Sequence, residues 1–87
     1  MPYREEVYTL GTYNGWANRD TWLVVVWADN ELKNYEYLKA NYAKLMKMPK
    51  AQLFATLRAR LHFGDKINWN NVNATEIKRY LEEFKEA

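Results

Sequence analysis

Few residue types in this chain can do chemistry on a substrate. His62 is the sole histidine among 87 residues, and cysteine is absent. Thiolate zinc sites, cysteine nucleophiles, disulfide frameworks and paired-histidine metal sites are therefore excluded. His62 stands between Leu61 and Phe63 at the end of an expected helix, where an imidazole packs and interacts favourably with terminal carbonyls. The carboxylates cluster as Glu5-Glu6, Asp29 with Glu31, and Glu82-Glu83-Glu86. The last cluster lies opposite Ile77, Tyr80, Leu81 and Phe84 on a helical projection, which makes it a solvated face rather than an acid and base pair. The three glycines form no phosphate-cradling pattern. The expectation is a protein without catalytic residues, metal or cofactor.

Charge and aromatic content suit binding better. Residues 1–36 carry a net charge of −3 and residues 65–87 a net charge of −1, whereas residues 37–64 contain no acid at all and six bases. Those bases, Lys39, Lys44, Lys47, Lys50, Arg58 and Arg60, are candidate contacts for a nucleic-acid backbone if they converge, or for an acidic protein surface. No pattern of base-reading side chains accompanies them, so sequence-specific DNA recognition is not expected. Four Trp and seven Tyr are more than a core of this size normally needs; large aromatics are also how a small domain fills its core with few side chains, and both types are favoured interface anchors. Tyr37, off the apolar stripe of its helix, is the aromatic expected to be most exposed. A partner protein and self-association as a homodimer are both compatible with such a surface.

These residues must be positioned by helices. Asn18 is a good N-cap with Asp20 in the following first turn, which predicts a helix from Arg19 to about Asp29. The segment Thr21–Trp27 is rich in β-branched and aromatic residues and equally suits a buried strand; as a helix it would be apolar almost all round and central. From Glu31 to Met48, Leu32, Tyr35, Leu38, Tyr42, Leu45 and Met46 recur at helical spacing. Met48-Pro49 ends that helix, and Pro49 opens the next at its first position. The third helix is expected over Lys50–Phe63, with Leu53, Phe54, Leu57 and Leu61 inward and Gly64 as a left-handed stop. Asn73-Ala74-Thr75-Glu76 approximates a capping box ahead of Ile77, Tyr80, Leu81 and Phe84. Before all of this, Tyr3, Tyr8 and Tyr13 mark an extended aromatic segment ending at the Asn14-Gly15 turn.

The fold class that follows is mainly α: one domain over 1–87, a small bundle of about four helices with an extended aromatic N-terminal segment. The alternative is α+β, with Thr21–Trp27 as a strand. At this length the chain has room for one core and no deep cleft besides. Hydrophobic residues at 48% and aromatics at 16% exclude a disordered chain. The longest apolar run, Trp22 to Ala28, is too short to cross a membrane, and no targeting segment is visible. A soluble, cytoplasmic protein without membrane contact is expected.

The pattern N-G-W-x-N-x-x-T-W-x-V-x-x-W-x-x-N, formed by Asn14, Gly15, Trp16, Asn18, Thr21, Trp22, Val24, Trp27 and Asn30, resembles that of a family of small uncharacterised proteins from bacteriophages, mobile elements and some prokaryotic genomes. Ile67-Asn68-Trp69 before a short amphipathic helix is similar to that family's ending. The resemblance implies a mainly helical fold and an accessory role in a virus or mobile element within a prokaryotic host; it implies no activity. Physically the motif reads as architecture. Asn18 caps a helix, Asn30 ends one or starts the next, and Trp16, Trp22 and Trp27 pack together and against Trp69. The functional expectation is a non-enzymatic interaction protein that binds and modulates a host macromolecule. The alternative is a small non-sequence-specific nucleic-acid-binding protein using the basic 39–60 segment.

Overall fold

The computed structural model describes residues 15–86. Asn14 and the aromatic segment before it, with Tyr3, Tyr8 and Tyr13, lie outside the described residues. Four α-helices follow in order: α1 (Arg19–Asn30), α2 (Leu32–Met46), α3 (Lys50–Arg60) and α4 (Ala74–Glu82), the last running into a 3₁₀ turn at Glu83–Glu86. No strand occurs among the described residues. The fold is therefore mainly α, and Thr21–Trp27 is helical.

Local chemistry accounts for that choice. The Asn18 side chain accepts the Thr21 N–H at 2.9 Å and satisfies a first-turn donor. Thr21, Val24, Val25 and Ala28 then form an i, i+3, i+4, i+7 stripe that is wholly buried, and Leu23 on the opposite side is buried as well. Burial of that stripe outweighs the rotamer restriction that the three valines impose on a helix. Asn30 is the last residue of α1, and its side chain donates back to the Val26 carbonyl.

The junction of α1 and α2 is a single extended residue, Glu31. The inward face of α2 is set by Asn34, Leu38 and Leu45, with Tyr35, Tyr42 and Met46 half-buried against the core. Leu32, expected on that stripe, is 67% exposed, because the buried position in the first turn belongs to Asn34. Tyr37, expected to be exposed, is half-buried and packs on the core. The element on which α1, α3, α4 and the 3₁₀ turn all pack is α2 rather than α1.

Helix α3 starts at Lys50 as expected, with Pro49 as its N-cap rather than its first helical residue, and stops at Arg60, three residues before the expected end. Leu61 turns extended so that the chain can cross α2 at Asn34. There the Asn34 side chain accepts the His62 N–H at 2.8 Å and donates to the His62 carbonyl at 2.7 Å and the Trp27 carbonyl at 3.1 Å. The imidazole itself is exposed and meets the Trp27 ring edge-on at 5.7 Å.

Gly64 is not a left-handed stop; among the described glycines only Gly15, with φ of 89°, has a positive φ. A Cβ on Gly64 would instead run into the Trp27 indole. The indole is held there by its own N–H, which donates to Asp65 Oδ2 at 2.9 Å. Gly64→Ala is therefore expected to cost about 1 to 3 kcal/mol through forced repacking of Trp27. Urea denaturation checks the loss, and a shifted Trp27 indole N–H resonance in the folded variant locates it.

Candidate binding surface on the asparagine loop

The N-termini of α1 and α4 are tied together. Thr21 has no exposed surface; its hydroxyl donates to Asn18 Oδ1 and accepts the Asn73 N–H, both at 2.9 Å. Asn73 is in turn the N-cap of α4, its side chain accepting the Glu76 N–H at 3.0 Å. The expected capping box is thus only half formed. Glu76 Oε1 accepts the Ala17 N–H at 2.8 Å, since the Asn73 N–H, its partner in a complete box, is taken by Thr21.

This clamp holds the loop ahead of α4. Asn18 Nδ2 donates to the Asn71 carbonyl at 2.6 Å, Asp20 Oδ1 accepts the Asn68 N–H at 3.0 Å, and Asp20 Oδ2 accepts from the Asn71 amide at 3.1 Å. The backbone bond from Asn68, then that from the Asn71 side chain, hold the Asp20 carboxyl below the ordinary aspartate range; burial opposes them, and the nearby Arg19 charge adds a smaller lowering. Within the loop, Asn68 Oδ1 accepts the Asn70 N–H. Trp69 lies half-buried against Phe54 and Phe63, each at 5.3 Å between ring centroids.

An open depression of about 540 Å³ follows, lined by Asp20, Arg58, Lys66, Ile67, Asn68, Trp69 and Asn70. It brings together three elements: the start of α1, the last turns of α3 and the asparagine loop. Of the residues expected from sequence, Arg58 and Trp69 meet here.

The other expected residues do not converge. Lys39, Lys44, Lys47, Lys50, Arg58 and Arg60 are all exposed. Lys39 and Lys44, however, are five positions apart and point about 140° from one another around α2, and Arg58 and Arg60 diverge by a similar angle on α3. Lys50 Nζ lies 5.9 Å from the centre of the Phe54 ring. The tryptophans also separate. Trp16 meets Tyr80 edge-on at 6.4 Å, Trp27 meets His62, Trp69 meets Phe54 and Phe63, and Trp22 packs half-buried on the core. They anchor different corners of the bundle instead of stacking on each other as expected.

Lys66, Ile67, Asn68 and Asn70, and the roles of Asp20 and Thr21, were not singled out as a site by sequence reasoning. The available signal was the density of asparagine at 68, 70, 71 and 73, a residue type whose side chain bonds nearby backbone in loops.

Two outcomes test the clamp. Thr21→Val, which keeps the shape and removes the hydroxyl, should cost about 1 to 3 kcal/mol by stranding the Asn73 N–H. Faster amide exchange at Asn73 and recovery of stability in Thr21→Ser would identify the hydroxyl as the cause. The Asp20 carboxyl has a lowered pKa in the folded state, so its contribution is present above the unfolded value and fades as pH falls through the folded one. Between about pH 5 and about pH 2, Asp20→Asn should therefore lose less stability than the wild type on acidification, read as the change in urea midpoint.

No helix among the described residues is long and apolar enough to cross a membrane. No curated protein and no solved structure matches the chain. A family match does extend over residues 9–87, which takes in both helix caps, the asparagine loop and the depression. The chain belongs to the family of unknown function DUF7249.

Proposed function

We propose that this is a non-enzymatic interaction protein, encoded by a virus or mobile element, that acts in the cytoplasm of a prokaryotic host by binding and modulating a host protein. The observation that carries this reading is the meeting of Arg58, Ile67 and Trp69 in one open depression whose loop is already pinned by Asp20 and Asn18. Tryptophan and arginine are the residue types most enriched among interface hot spots. A loop held rigid before binding also avoids much of the ordering cost of association. The motif read from the sequence supports an accessory role through its resemblance to phage and mobile-element proteins.

The exposure of all six cations between Lys39 and Arg60 favours a second reading, non-specific binding to a nucleic-acid backbone. Their spread around two helices weighs against a single phosphate-tracking face. Tagged protein incubated with host lysate, with and without nuclease and at low and high salt, separates the two. The expected result is a discrete protein retained after nuclease in high salt. Recovery of nucleic acid alone, lost as salt rises, overturns the first reading in favour of the second.

A further inference from the structure

We infer that the depression on the asparagine loop takes an acidic peptide segment of its partner, seating a carboxylate between Arg58 and Lys66 and an adjacent apolar side chain on Trp69 and Ile67. This rests on the interaction-protein reading above and names the chemistry of the segment recognised.

The polar inventory of the depression is rich in donors. Arg58 and Lys66 are exposed and have neither an ion-pair nor a hydrogen-bond partner among the described residues. The Trp69 indole N–H, the Asn68 side-chain NH₂ and both ends of the Asn70 amide are likewise uncommitted among the described residues. A guanidinium fork matches a carboxylate bidentately. Side-chain amides, each with a donor and an acceptor end, match the N–H and C=O of a peptide backbone. Ile67 and Trp69 supply apolar surface in the same depression, and the Trp69 ring meets those of Phe54 and Phe63.

The carboxylate already present favours a peptide over a nucleic-acid strand. Asp20 lines the same depression with both oxygens bonded to the loop, and its lowered pKa keeps it ionised. A strand carries a negative charge at every nucleotide and would bring a phosphate towards Asp20. A peptide places its charge at chosen positions and can direct it to the Arg58 and Lys66 side alone.

The test is to pan a random peptide display library against the folded wild-type protein and to measure the enriched peptides by fluorescence anisotropy. The same peptides are measured against the double variant Arg58→Glu with Lys66→Glu, with a fifteen-nucleotide oligothymidine as a further ligand. Both reversed residues are exposed, so circular dichroism should be unchanged. The expected result is enrichment of peptides with acidic residues next to an aliphatic or aromatic one, and binding weakened about tenfold or more by the double reversal. Enrichment without acidic bias, affinity unaffected by the double reversal, or tighter binding of oligothymidine than of every peptide overturns the inference. Lysate capture separates its failure from that of the broader reading: a host protein held equally by wild type and double variant leaves an interaction protein with its site elsewhere, whereas no captured protein overturns both.

Discussion

The arrangement of this small bundle depends on one hydroxyl. Thr21 is fully enclosed, and its single oxygen joins the N-cap of α1 to the N-cap of α4 by donating to Asn18 and accepting from the backbone of Asn73. Helix N-termini leave backbone donors without intrahelical partners, and each must be satisfied when it is buried. Here the two ends satisfy each other's needs through a shared cluster, so neither cap has its observed geometry without the other. The asparagine loop is drawn into the same cluster by Asn18 and Asp20, which gives it a fixed shape although it contains no helix or strand.

A second buried polar side chain has the same task at the other end of α1. Asn34 is 2% exposed and makes three hydrogen bonds, all to backbone groups of Trp27 and His62. It fastens the end of α1, the start of α2 and the chain leaving α3 at a single point. Trp27 extends the fastening, since its indole N–H reaches Asp65 while its ring covers Gly64. A domain this short has limited apolar surface to bury. Two fully satisfied polar clusters add directionality that hydrophobic contacts lack.

The same fastening shapes the surface. By stopping α3 at Arg60 and crossing to Asn34, the chain returns through Phe63 to Trp69, where the rings of Phe54, Phe63 and Trp69 form one aromatic group. Arg58 and Lys66 then line the same depression as an indole that is half-buried rather than lost in the core. The depression is thus a consequence of how the loop is tied down. Its chemistry is set by residues drawn from three separate stretches of chain.

Much of the fold was legible in the residues themselves. The caps at Asn18 and Asn73, the break at Pro49 and the stripe of Ile77, Tyr80, Leu81 and Phe84 are local signals, because a cap or an amphipathic period involves neighbours within about one or two turns. Local signals did less well where a distant partner competed: Gly64 is required by a tryptophan 37 positions earlier in the chain, Leu32 yields its place to a buried asparagine, and Glu76 leaves its box for the Ala17 backbone. The candidate site lay further out of reach. Individual residues announced binding chemistry, as with Arg58 and Trp69, but their meeting with Lys66, Ile67 and Asp20 depends on hydrogen bonds spanning about fifty residues. Sequence determined where helices begin and break, at Asn18, Pro49 and Asn73, since that is decided by nearby backbone and side-chain groups; tertiary structure decided that Thr21–Trp27 is a helix rather than a strand, through burial of its inner stripe, and which side chains share a surface, since both depend on long-range pairings that no local pattern encodes.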